Sequence, residues 1–126
     1  MTWDFSINLP PLPPPELPDP RVEQARQAPG TQGLSDNVLR MVSNMEDIAN
    51  AQAFMADFQL GQGREDRAVA AFGQAIVALS HIADPRERFH AQTRVFNRVD
   101  RDAQQYGARR LADAVRQARV ARMSQQ

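Results

Sequence analysis

The chain has 126 residues, so it forms at most one domain of ordinary size. It contains no cysteine, which excludes disulfides and any thiolate metal site or nucleophile. Its overall charge is zero, yet residues 1–84 carry a net charge of −6 and residues 85–126 a net charge of +6. This division points to a charged partner or to head-to-tail contacts between copies.

No stretch of the sequence is apolar over the length of a membrane span, and the N-terminus shows neither the basic start nor the apolar run of a signal peptide. We therefore expect a soluble cytoplasmic protein, or a protein that assembles in a cytoplasm and ends in a virion. All 15 cationic residues are arginine. A guanidinium can hold a carboxylate or a phosphate through two hydrogen bonds, which an ammonium cannot.

The first nine residues alternate between apolar and polar side chains. A period of two predicts an extended segment with one buried face, here a docking strand rather than a frayed terminus. The apolar side chains of this segment are Trp3, Phe5, Ile7 and Leu9. They form the first part of the predicted partner-binding site.

Residues 9–20 read LPPLPPPELPDP, and each proline fixes its own φ and pushes its predecessor toward extended geometry. The sequence therefore predicts a polyproline II rod, with Leu9 and Leu12 on one edge, and Leu12 joins the predicted partner-binding site. Residues 21–34 could hold a marginal turn of helix, but Pro29, Gly30 and Gly33 stop it, and the stretch is predicted to be a linker. We accordingly predict a proline-rich arm and linker over residues 1–34 and a helical domain over residues 35–126.

Ser35 is the predicted N-cap of a helix that runs to Gly61. Apolar residues recur along it at steps of three and four, from Val38 and Met41 onward. Phe54 and Phe58 lie four residues apart on nearly the opposite side from that stripe. A second apolar face needs a second neighbour, so both phenylalanines join the predicted partner-binding site.

Three further helices are predicted, over about residues 64–83, 85–106 and 108–122. The sequence Asp84-Pro85 supplies an N-cap followed by a proline at the first helical position, and Gly107 ends that helix. Two seven-residue series in it, Phe89/Phe96/Ala103 and Gln92/Val99/Tyr106, predict one packed seam. The expected fold is all-α, with four helices in two antiparallel hairpins.

The stretch LGQGREDRAVAAFGQAIVAL, residues 60–79, resembles the turn and second helix of a tetratricopeptide repeat. The matching positions are Gly63, Ala68, Phe72 and Ala75. The resemblance covers about 20 residues, and the aromatic and glycine positions of the family's first helix are here Gln52, Ala56 and Gln59. It implies a scaffold that binds other proteins in a concave groove and implies no catalysis.

Catalytic and cofactor motifs are not apparent. His81 and His90 flank the Asp84-Pro85 turn, but no nucleophile or metal-binding motif accompanies them. Gly61-Gln62-Gly63 lacks the later glycine and lysine of a phosphate loop. We predict a protein that is not an enzyme and has no cofactor.

The last helix carries Arg109, Arg116 and Arg119 on the side away from its apolar residues. These arginines could contact an acidic protein or nucleic-acid phosphates. A solvated, ion-paired face is the simpler interpretation, because acidic residues are interspersed with the arginines and no base-reading motif is present.

Three functions remain open on sequence grounds. The first is a non-catalytic adaptor that docks through its N-terminal arm onto a protein partner or a neighbouring subunit. The second is a structural component of a large assembly, such as a phage virion or a secretion apparatus, built from one kind of subunit or several. The third is a nucleic-acid binder that uses the C-terminal arginines.

Overall fold

We analysed a computed structural model, which describes residues 19–124. Six helices and no strand occur within that range. The helices are α1 Pro20–Arg26, α2 Asp36–Leu39, α3 Met45–Gly61, α4 Glu65–Ser80, α5 Pro85–Tyr106 and α6 Arg109–Ser124. The prediction of an all-helical body is confirmed, but the count of four helices is wrong.

The first additional helix comes from a division of the predicted helix 35–61. Asn44 adopts an extended backbone (φ −156°, ψ 177°), and its side chain accepts a hydrogen bond from the Asp47 amide at 2.8 Å. The Asp47 carboxylate accepts in return from the Ser43 amide at 2.9 Å. This reciprocal cap starts α3 afresh, so α2 ends at Leu39 and Met41 is exposed rather than part of the buried stripe.

The second additional helix lies in the stretch that was predicted to be a linker. Asp19 caps α1 by accepting from the Arg21 amide at 2.9 Å. Val22 and Leu34 are buried in the same core as the longer helices. Pro29, Gly30 and Gly33 do end the helix, but they do not keep this part of the chain from packing on the body.

The four long helices pair in chain order. The α3/α4 interface is built largely from buried alanines, which let two helices approach closely: Ala49, Ala53, Ala56, Ala68, Ala75 and Ala78. Helices α5 and α6 are antiparallel, because Arg119 of α6 bonds Asn97 at 2.8 Å and Arg122 bonds the earlier Thr93 at 2.9 Å. At the start of α6, the Arg110 amide donates to Glu65, the first residue of α4, at 2.6 Å.

The two helix pairs meet through an aromatic contact. Phe72 of α4 and Phe96 of α5 are both buried, with ring centroids 5.7 Å apart in an edge-to-face arrangement. On the other side of α4, Gly30 approaches the backbone of Gln74 and Ala78. Helix α4 is therefore covered on two sides, as its apolar circumference predicted.

Candidate interaction surfaces

The predicted partner-binding residues Trp3, Phe5, Ile7, Leu9 and Leu12 lie outside the residues that the structure describes. Their role remains a prediction. The other two, Phe54 and Phe58, lie on α3, where 59% and 49% of their surfaces are exposed.

Tyr106 extends this pair. A Cβ on Gly61 would lie 3.6 Å from the Tyr106 hydroxyl, and Gly61 lies seven residues after Phe54 on the same face of α3. Tyr106 is 46% exposed. We call Phe54, Phe58 and Tyr106 the aromatic surface.

The sequence analysis assigned Tyr106 to a packed seam. That seam is buried in its middle, at Phe96, Val99 and Ala103, whereas Phe89 and Tyr106 at its two ends are exposed. A heptad pattern cannot show that its last position falls beyond the neighbouring helices. The one indication in the sequence was Gly107, which marks the end of the helix directly after Tyr106 and so places Tyr106 in the last turn.

Two carboxyl groups, one on α3 and one on α5, influence each other electrostatically next to the aromatic surface. Burial raises the pKa of Asp102 above its ordinary value, and the negative charge of Asp57 raises it further. The guanidinium groups of Arg98 and Arg101 act in the opposite direction. The negative charge of Asp57 on α3 therefore opposes the ionisation of Asp102 on α5.

This pair predicts a pH dependence of stability. Because the pKa of Asp102 is higher in the folded than in the unfolded chain, the folded state binds the proton more tightly. Stability should therefore fall as the pH rises from about 3.9, the ordinary aspartate pKa, through the raised folded value. Asp102→Asn should remove this decline and make the protein more stable than the wild type at neutral pH.

The measurement is urea unfolding at a series of pH values, followed by circular dichroism. Asp113→Asn is the matched control, because Asp113 is an exposed carboxylate that pairs with Arg116 at 2.9 Å. This control should keep the decline. A decline of undiminished size in the Asp102→Asn protein would contradict the prediction.

The three arginines predicted to contact an anionic partner are not gathered into one patch. Arg116 pairs with Asp113 along its own helix. Arg119 turns toward α5, where it bonds Asn97 and lies 3.5 Å from an Asp100 oxygen. Arg109, the first residue of α6, is exposed.

A groove that the sequence analysis did not predict lies between α4 and α6. It has a volume of about 380 Å³. We call it the α4–α6 groove. Its lining includes Val69, Gly73, Ile76, Phe96, Ala118 and Arg122. Two features of the sequence could have indicated this groove, because both leave space beside a helix. They are a glycine in the middle of α4 and the alanines at positions 114, 118 and 121 of α6.

Arg122 occupies one end of this groove. Its guanidinium carbon lies 4.6 Å from the centroid of the Phe89 ring and 5.4 Å from that of Phe96. Its Nε is buried and has no hydrogen-bond partner among residues 19–124. Burial lowers the pKa of Arg122, and the nearby charge of Arg119 lowers it further.

The two histidines lie at the opposite end of α4 from the α3–α4 turn. They line a cavity of about 590 Å³ together with Glu46, Glu87 and Arg94. His81 Nδ1 is 2.9 Å from the Val77 carbonyl oxygen. Across residues 19–124, no group of three or more His, Asp or Glu side chains is arranged to hold a metal ion.

None of the helices within residues 19–124 combines the length and the apolar character needed to cross a membrane. Comparisons with protein-family models, with curated proteins and with solved structures find no match to this chain.

Proposed function

We propose that this protein is a non-catalytic protein–protein interaction module, which contacts a protein partner through its aromatic surface and its N-terminal arm. The observation that carries the proposal is the exposure of Phe54 and Phe58, 59% and 49%, in the middle of a helix whose opposite side is fully buried. Residues 19–124 leave more than half of the Phe54 surface and about half of the Phe58 surface uncovered.

Exposed aromatic side chains are a common basis of binding energy. Burying a phenylalanine side chain contributes about 1.5–3 kcal/mol, and aromatic anchors dominate many interfaces. Phe54 and Phe58 lie on successive turns of one rigid helix, so a partner that covers one ring also meets the other. Arg101 and Asp57 lie close by and supply polar groups at the edge of the surface.

The resemblance of residues 60–79 to a tetratricopeptide repeat supports a binding scaffold. Gly63 has a positive φ of 72° in the turn between α3 and α4, and Ala68 and Ala75 are buried. Phe72 contacts Phe96 in the next pair of helices. These are the roles that the resemblance implies for the turn glycine, the small residues and the aromatic residue.

The nucleic-acid alternative has weaker support. Arg116 and Arg119 already have acidic neighbours within the chain. A partner that used them would have to replace those ion pairs. The arginines therefore suit a solvated face better than a phosphate-binding surface.

The test is crosslinking of the full-length chain in its native host, read by mass spectrometry. The reagent should activate carboxylates, because the chain contains no lysine. We expect a protein partner that crosslinks to the wild type and is lost with Phe54→Ser/Phe58→Ser, while the helical circular dichroism stays unchanged.

The matched control is Val120→Ser/Met123→Ser, which removes two exposed apolar side chains from α6. It should retain the partner. The proposal fails if the α3 variant keeps every crosslink of the wild type, or if the wild type crosslinks to no other protein.

A further inference from the structure

The α4–α6 groove is a second open apolar surface, separate from the aromatic surface. Val69 and Ile76 of α4 and Ala118 of α6 line it, with Phe96 of α5 beneath. A Cβ placed on Gly73 would meet nothing within 4 Å. The groove is thus widened by a residue without a side chain, at a helix position where glycine lowers stability.

Arg122, at one end of this groove, favours an occupant of a particular chemistry. Arg122 lies against two aromatic rings and is partly desolvated, with Arg119 nearby. Its buried Nε has no acceptor among the described residues. An occupant that is apolar, aromatic and acidic therefore complements the groove better than a basic one.

The first nine residues of this chain have that composition. Trp3, Phe5 and Ile7 recur at every second position, so they share one face of an extended segment. Residues 1–9 contain one acidic side chain, Asp4, and no arginine or lysine. The charge of this segment is therefore opposite to that of Arg122, the charged residue that lines the groove.

The position of the arm favours the groove of another molecule. Asp19, where the described chain begins, lies 3.5 Å from Arg40 beside α2. The chain then meets α4 at Gln74 and Ala78, whereas the groove is on the side of α4 that carries Val69 and Ile76. The sequence of residues 9–18, which precede the cap of α1, predicts a straight spacer of about 31 Å, longer than the roughly 24 Å of the 16-residue helix α4.

We propose that the α4–α6 groove binds residues 1–9 of a second copy of this chain, with Trp3, Phe5 and Ile7 against the groove. The proposal rests on the proposed function in one respect, namely that the arm is a docking segment. Because arm and groove are different surfaces, the contact is head-to-tail. Copies joined in this way form a ring if the rotation closes and a chain of subunits if it does not.

Trp3 is the only tryptophan, so its fluorescence reports the occupant directly. With rising concentration of the full-length protein, we expect its emission to move to shorter wavelength while light scattering shows a mass above that of the monomer. Gly73→Leu puts a side chain into the groove, where its Cβ would meet nothing within 4 Å, and it should weaken self-association at least ten-fold. Its thermal midpoint should be equal to or above that of the wild type, since leucine is the better helix former.

A mixing experiment separates donor from acceptor. The donor is Gly73→Leu, which keeps the arm but not the groove. The acceptor is Trp3→Ser/Phe5→Ser, which keeps the groove and has no tryptophan. We expect neither protein to associate alone, and the mixture to form a one-to-one complex with a blue-shifted emission that weakens when the acceptor also carries Arg122→Gln.

Two controls and three adverse outcomes complete the test. Ala70→Leu places a leucine at an exposed position of α4 outside the groove and should leave association unchanged. Phe54→Ser/Phe58→Ser should also leave association unchanged. Loss of the emission shift in this variant would place the arm on the aromatic surface and overturn the proposal.

Two results with the wild-type protein would also overturn the proposal. A blue shift that does not depend on concentration would show docking within one molecule. A monomer whose emission is unshifted at all concentrations would show no docking. Neither the concentration-independent shift nor the unshifted monomer bears on the partner that crosslinks through Phe54 and Phe58.

Discussion

Gly30→Ala should destabilise the protein by about 3 kcal/mol, the sum of left-handed backbone strain and overpacking. Gly30 has a φ of 84°, which an L-residue with a Cβ adopts only at a cost. A Cβ at this position would also lie 2.6 Å from the Gln74 carbonyl oxygen and 2.7 Å from the Ala78 Cβ. The loop could not keep its contact with α4, so the loss should appear in urea unfolding as a lower midpoint.

Gly33→Ala is the matched control for this prediction. Gly33 has a φ of 89°, but a Cβ there would meet nothing within 4 Å. It should cost only the backbone strain, about 1–2 kcal/mol. Equal losses for the two variants would show that the close approach of Gly30 to α4 contributes nothing.

Gln52→Leu should cost about 2–4 kcal/mol, because it leaves two carbonyl groups without their donor. Gln52 is 1% exposed. Its Nε2 donates to the Gly30 carbonyl at 2.8 Å and to the Gln32 carbonyl at 2.9 Å. Leucine fills a similar volume, so the loss should come from the hydrogen bonds rather than from a cavity.

Gln74→Leu is the control for this second variant. Its side chain donates to the Gln32 side chain at 3.3 Å at an exposed position, and its loss should change stability by no more than about 0.5 kcal/mol. Because Gln52 and Gly30 hold the same contact, Gly30→Ala and Gln52→Leu together should cost less than the sum of the two. Additive effects would mean that the loop is not held as one unit.

Both variants act on a part of the chain that the sequence analysis treated as a linker. Gly30 and Gln52 are 22 residues apart, and neither is apolar. Turn residues predict where a helix ends, but they carry no information on whether the loop then packs. Gln52, whose side chain holds this loop, stands where the tetratricopeptide pattern has an aromatic residue. In the sequence this position showed only a departure from that pattern.

The candidate surfaces also differ in how far the sequence predicts them. The separation of Phe54 and Phe58 from the buried side of α3 was predictable from the sequence, because the side of a helix on which a residue lies follows from helical periodicity alone. Their role in binding remains a prediction. The seam that predicted burial of Tyr106 is correct only in its middle, since the ends of α5 extend past its neighbours. The α4–α6 groove was missed because a groove is a gap between helices, and its size depends on how far apart they lie.

The sequence by itself determined the helical class and most helix ends, because caps such as Asp84-Pro85 and stops such as Gly107 act within a few residues of backbone. Only the tertiary structure decided the packing of residues 20–34 on the body, the start of α3 at Met45, the exposure of Tyr106 and the partial burial of Arg122. Those features depend on contacts between residues far apart in the chain, such as Gln52 with Gly30 and Arg122 with Phe89. Periodicity shows which side of a helix is apolar, and packing decides what covers it.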